Sequence, residues 1–295
     1  MTDTTTTTTT TETADAAGKI SGEIVTWNIR RLRVAYRDVR AALAAAGLEE
    51  SVAKEMLPRN AFTRAARRLA QARIIRKVTE DEDFFTFQMT KESLDAAAKL
   101  LTYDMEAVLT LNKRTGEVTG TDAALAAQAR DRIADEMGHR GGGDVSAVIQ
   151  RLFQRHADLF PVRDQGGCYF VAARHAAFTG KVDQFLLALT GRRLSRFPVQ
   201  VGTPHGDASV NKAVAEGLEA MIAEHLEAVA AFGEDTQGFV LERAAQRIQQ
   251  TRFKVEAYAE FLEGAKEKLQ AQLAEATALL RSKVEAITAA EPVAA

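Results

Sequence analysis

The stretch from 60 to 89, NAFTRAARRLAQARIIRKVTEDEDFFTFQM, concentrates the side chains best suited to chemistry with an anion. On a helix with Phe62 at the origin, Ala65, Ala66 and Leu69 fall within about 60° of it, whereas Arg64, Arg67, Arg68 and Gln71 lie at roughly 140° to 240°. A guanidinium can give two donors to guanine O6 and N7, and a glutamine amide can read adenine. This polar face therefore has the chemistry of a helix that reads base edges in a major groove. Arg30, Arg33, Arg37 and Arg40 form a second stripe upstream. With Arg59 and Lys77 they could hold phosphates and set a docking angle. Glu80, Asp81, Glu82 and Asp83 stand against this reading, because four consecutive acids would repel a duplex brought to that turn. Arginine-faced helices also keep Ala-rich segments soluble, so a protein-docking role stands beside the one with double-stranded DNA.

Other chemistry lacks its residues. His139, His156, His175, His205 and His225 are scattered, and Cys168 is the single cysteine. Neither CxxC nor HExxH occurs, so no metal site is expected. GHRGGGD has glycines but no following Lys-Ser/Thr and no strand leading into it. GxGxxG and GxSxG are absent, so the sequence points to no cofactor and no enzyme. One cysteine allows no internal disulfide, and no apolar run approaches the ~20 residues of a membrane span. The expectation is a cytoplasmic protein without a membrane partner.

These side chains need elements to position them. Ile29, Leu32, Tyr36, Val39 and Leu43 recur at helical spacing, predicting a helix from Trp27 to Ala46, with a short second helix ending at Pro58. A third helix starts near Asn60, then IIRKV and FFTFQM pair across TEDED as a hairpin. Three helices and a hairpin over residues 24–92 resemble a winged helix-turn-helix domain. AVLTLNKRTGEVTG predicts another hairpin, Asp122–Met137 and Asp144–His156 two helices, and GHRGGG a flexible break between them. LFPVRDQGGCYFVAA predicts a third hairpin, followed by a helix from Ala173 to Thr190 and the strand RFPVQVG.

Beyond TPHGD the pattern is helical. Leu241, Ile248, Val255, Leu262 and Leu269 recur every seven residues, with Leu273 and Leu280 at the alternating seam. This predicts a coiled coil that joins copies of the chain, most simply as a dimer, with a last helix of roughly 75 Å. Polar Arg252 and Lys266 at seam positions could fix register, or instead mark places where the pairing is loose and within the chain.

Gly166, Gly167, Tyr169, Phe170 and Val171 in GGCYFVAARHAAF, followed by RFPVQVGT and the helical tail, resemble an uncharacterised family of bacterial and phage proteins. The resemblance spans roughly 100–290 and implies an architecture, with no catalytic residue to carry over.

The expected fold class is α+β, mainly helical. It comprises a disordered Thr-rich tail (1–23), a winged-helix-like domain (24–92), a central α+β domain with hairpins (93–203) and a helical hairpin or coiled coil (204–295). Fourteen Lys and Arg against five acids from Lys19 to Lys77, and nine against fifteen from Gly206 onward, place an anionic partner at the front half. Two functions fit: a non-enzymatic, oligomerising DNA-binding protein, whether regulator or DNA organiser, or a structural adaptor of phage- or mobile-element-related kind whose globular parts dock proteins.

Overall fold

The computed structural model describes residues 19–69, 73–95, 100–164, 166–233 and 235–290. It is an α+β fold of ten strands, all paired antiparallel, and eight α-helices among the described residues. The elements are β1 (Ile20–Thr26), β2 (Arg33–Ala35), α1 (Tyr36–Ala45), α2 (Pro58–Leu69), β3 (Arg73–Glu80), β4 (Phe84–Asp95), β5 (Leu100–Asn112), β6 (Val118–Gly120), α3 (Ala123–Gly138), β7 (His139–Gly141), α4 (Gly142–His156), β8 (Phe160–Pro161), β9 (Tyr169–Ala172), α5 (Ala176–Thr190), β10 (Ser195–Gln200), α6 (Pro204–Ala230), α7 (Gly238–Ala257) and α8 (Lys266–Ala290). They divide into two compact units.

One unit comprises residues 28–152 and 181–193 and is basic, with 24 Lys and Arg against 19 Asp and Glu. Its sheet has the order β3-β4-β5-β6. The apolar stripe of α2, with Ala61, Phe62, Ala65, Ala66 and Leu69, joins Phe85, Phe87, Met89, Leu109 and Leu111 of the sheet and Leu125, Ala129 and Ile133 of α3 in one core. Phe62, Phe85 and Phe87 form an aromatic knot, with ring centroids 4.7–6.0 Å apart. Asp122 caps α3 by accepting from the amides of Ala124 and Leu125. The 107–120 turn forms as expected, with the Asn112 side chain accepting from the amides of Arg114 and Thr115 and Gly116 at φ 75°.

The other unit takes its described residues from 19–27, 153–180 and 194–290. Its sheet has the order β10-β1-β9-β8. Glu23 on β1 accepts two hydrogen bonds from Arg196 on β10, at 2.5 and 2.6 Å. Helices α6, α7 and α8 pack against one another, and Phe160, Phe170, Ala172 and Val199 of the sheet share their core. Gly217 of α6 is needed there, because a Cβ would lie 2.7 Å from the Phe160 ring.

Several expectations are corrected. The Trp27–Ala46 helix begins only at Tyr36, because Arg33–Ala35 pairs instead with His139–Gly141. GHRGGG is therefore a strand and a helix start, not a break. Residues 20–23 are not tail but the start of β1, flanked by β9 and β10, and residues 1–18 lie outside the described residues. The continuous C-terminal helix is interrupted at 258–265, where the chain forms a 3₁₀ turn, Ala259–Phe261, and passes Gly264 at φ 72°. The helix lengths of α7 and α8 then match α6 well enough for their seams to be covered inside the unit. The units also interleave along the sequence rather than following the contiguous 24–92, 93–203 and 204–295 division.

Candidate functional site

The arginines of α2 divide sharply. Arg64 gives Asp144 two hydrogen bonds, Nη1 to Oδ2 at 2.7 Å and Nη2 to Oδ1 at 2.6 Å. Donating to Asp144 raises the pKa of the guanidinium further. Burial pushes the Asp144 carboxyl up, but the bonds from Arg64 and from the Gly141 amide outweigh it and hold the carboxyl below its usual range. Arg68 lies 2.8 Å from the buried Glu136 carboxylate, and Arg33 pairs with Asp135. Arg59 pairs with Glu80 at 2.7 Å, and Lys77 and Lys113 reach the same carboxylate. Arg40 pairs with Glu50 at 2.9 Å, whereas Arg37, almost fully exposed, sits 3.6 Å from its neighbour Asp38. Arg67 and Arg30 are exposed. Gln71 lies outside the described residues.

The acidic turn now has a physical role. Glu80 gathers three cations, Asp83 pairs with Arg114 at 3.0 Å, and the Asp81 carboxylate accepts from the amides of Asp83 and Phe84 to close the turn. Its acids serve the turn and the neighbouring cations. Of the expected base-reading set, Arg64 and Arg68 are held by carboxylates, so α2 does not present a free row of guanidiniums.

The seam residues are likewise committed inside the chain. Ile248, Val255, Leu262, Leu269, Leu273 and Leu280 are buried in the core shared by α6, α7, α8 and the sheet, with Leu241 packed against it. The oligomerisation seam expected of them is thus occupied by the chain's own helices.

The most exposed apolar structure is one the sequence reading passed over. β4 and β5 pair from Phe84 with Asn112 to Asp95 with Leu100. Among the described residues, β3 accompanies β4 as far as Lys91, β6 accompanies β5 over Leu109–Leu111, and the remainder is a two-stranded ribbon. The ladder slips where Met89 pairs with Ala107 but Thr90 pairs with Met105, leaving Glu106 as the extra residue of a bulge. Strict alternation would have put Met105, Tyr103 and Leu101 on the core face with Ala107. The bulge moves them to the opposite face, level with Thr90, Glu92 and Leu94. There Leu94, Leu101, Tyr103 and Met105 are 66, 50, 54 and 65% exposed. Arg73 holds the bulge by bonding Glu106, including Nη2 to Oε1 at 2.8 Å, and lowers the carboxyl's pKa. The signal was available in LLTYDMEA, whose Leu101, Tyr103 and Met105 alternate with polar residues.

Titratable groups meet closely around the buried Asp158. Tyr258, fully buried, donates to Asp158 Oδ2 at 2.9 Å, Lys254 Nζ lies 2.5 Å from Oδ1, and Arg174 stacks on the tyrosine ring. Burial, then the Asp158 charge, raises the phenol's pKa. Cys168 is free and partly exposed. Among the described residues, no three His, Cys, Asp or Glu side chains are grouped to hold a metal ion, and no helix is long and apolar enough to cross a membrane.

These features define an α+β protein of two units, one basic and one helical. Residues 21–291 match the model of a family of unknown function (DUF6744), and the chain belongs to that family. Comparison with curated proteins and with solved structures gave no match.

Proposed function

We propose that the chain is a non-enzymatic docking protein that holds a protein partner on the β4–β5 ribbon. The observation that carries this reading is the bulge-shifted face of Leu94, Leu101, Tyr103 and Met105, four apolar side chains exposed together. They lie beside the outer edge of β5 from Leu100 to Ala107, which forms no second ladder among the described residues. An extended segment of a partner would add a strand to this edge through main-chain hydrogen bonds, and its alternate side chains would cover the apolar face. Asp104 and Glu106 punctuate the edge with charge, which discourages indiscriminate pairing and selects partners with cations at matching positions.

The alternative, a helix reading DNA bases, draws support from the net positive charge of the basic unit. It loses the cooperation of Arg64 and Arg68, whose charge is already met by Asp144 and Glu136.

A photo-reactive amino acid in place of Tyr103, in the full chain expressed in its native cells, tests the docking role. One discrete protein adduct is expected, lost when Leu101 and Met105 are changed to Asp. An adduct of twice the chain's own mass would transfer the site to self-pairing. No adduct at all, or one indifferent to those changes, would remove the proposal.

A further inference from the structure

The basic unit holds a second feature, independent of the ribbon. A cavity of about 550 Å³ opens between the turn Asn28–Leu32 and the end of α5 at Thr190, and Arg30, Arg31 and Arg192 line it. We infer that this cleft binds a phosphate group.

The local chain is built to bring the three together. The turn is closed by a hydrogen bond from the Leu32 amide to the Ile29 carbonyl at 3.0 Å, with Ile29 buried beneath it. It fits against the start of α4 only because residue 142 is glycine, since a Cβ there would stand 1.9 Å from the Ile29 carbonyl oxygen. On the other side, Gly191 at φ 68° turns the chain out of α5. The Thr190 hydroxyl donates to the Leu186 carbonyl and accepts from the Arg192 amide at 3.1 Å, which fixes the backbone of Arg192. Both walls are therefore set by backbone geometry.

Charge distinguishes this cluster from the rest of the unit. The flanking arginines are neutralised, Arg33 by Asp135 and Arg193 by Asp183 at 2.5 Å. Among the described residues, Arg30, Arg31 and Arg192 make no side-chain hydrogen bond or ion pair, and no carboxylate lines the cleft. Three guanidiniums gathered without a counter-charge repel one another and raise the local positive potential. An anion offering several oxygens relieves that repulsion. The planar forks of arginine suit phosphate, which they can engage by paired hydrogen bonds. The volume falls in the range of small-ligand sites, about 300–1,000 Å³, so the cleft admits a phosphorylated small molecule as well as one phosphate of a nucleic-acid backbone.

The test uses the full chain and two probes. Inorganic pyrophosphate is titrated by calorimetry, and a fluorescent 20-nucleotide DNA, single-stranded or duplex, by anisotropy at two salt concentrations. At least one probe should bind saturably, and the triple change Arg30→Gln, Arg31→Gln, Arg192→Gln should weaken it by about tenfold or more. The control pair Arg67→Gln and Arg76→Gln, exposed in the same unit, should leave binding unchanged. Thermal melting should show both variants folded, since all five side chains are exposed. Pyrophosphate binding without DNA binding identifies a small phosphorylated ligand. DNA binding that the triple change abolishes and pyrophosphate competes identifies the backbone of a nucleic acid, with affinity falling as salt rises. If neither probe binds, or the triple change leaves binding intact, the inference is overturned. Neither result bears on the ribbon.

Discussion

Arg64 on α2 and Asp144 in the first turn of α4 stand 80 residues apart and meet through two parallel hydrogen bonds. The pair ties the helix expected to read DNA to the element that follows β7. Asp144→Ala should therefore destabilise the basic unit, by about 1.5 kcal/mol, the low end for a charged hydrogen bond because Arg64 is 40% exposed. Urea titration of the variant checks this. Arg64→Met with Asp144→Leu should recover part of the loss, because neither charge is then left unmatched. Unchanged stability on removing Asp144 alone would mean that the pair only decorates the surface.

The same carboxyl gives a pH dependence. Asp144 is held below its usual range in the folded chain, so the unfolded chain takes up the proton first as pH falls. Its contribution is complete above the ordinary aspartate value of about 3.9 and is lost as pH falls through the lower folded value. Urea midpoints measured between neutral and strongly acidic pH should fall less in Asp144→Asn than in the parent chain.

At higher pH the helical unit has its own titration. Burial lowers the pKa of His225, partly offset by Glu224, and that of His175, partly offset by Asp158. His225 Nε2 also lies 2.8 Å from the hydroxyl of the buried Thr251. Both rings protonate more readily in the unfolded chain. Their stability contribution is therefore complete above about 6.5 and is lost as pH falls through the folded values. The urea midpoint should drop between pH 7.5 and 5.5, and His225→Gln should flatten part of that drop. A parent profile flat over this window would contradict the assignment.

What the sequence made legible was local. The amphipathic stripe of Phe62, Ala65, Ala66 and Leu69, the Asp122 cap, the turn at Asn112–Gly116 and the strand RFPVQVG all appear where periodicity and turn chemistry put them. What failed was non-local. Ile29 and Leu32 match a helical spacing, yet strand pairing between residues 33–35 and 139–141 takes that segment elsewhere, and nothing near residue 30 signals it. The heptads in α7 and α8 correctly marked an apolar seam. They could not say whether another chain or α6 would cover it. The arginines of α2 were correctly placed on one outer face, but Asp144 and Glu136, their neutralising partners, lie 80 and 68 residues further along. For Leu101, Tyr103 and Met105 the alternation was visible, whereas their facing depends on a one-residue bulge that only the pairing partner defines.

That seam supports a last prediction, which separates intramolecular from intermolecular packing. Leu269 and Leu273 are 1% exposed within the core that also contains Val214, Leu218 and Ile222 of α6. Leu273→Ala should cost about 2–5 kcal/mol through the lost burial and the cavity left behind. Because the seam is filled by the same chain, the melting temperature of the parent should not depend on protein concentration, and sedimentation should show no dissociation in the variant. An intermolecular coiled coil behaves differently. Its stability is inseparable from chain concentration, so dilution by a hundredfold would lower the melting temperature. A concentration-dependent transition, lost together with dimer mass in Leu273→Ala, would reassign α7 and α8 to pairing between chains.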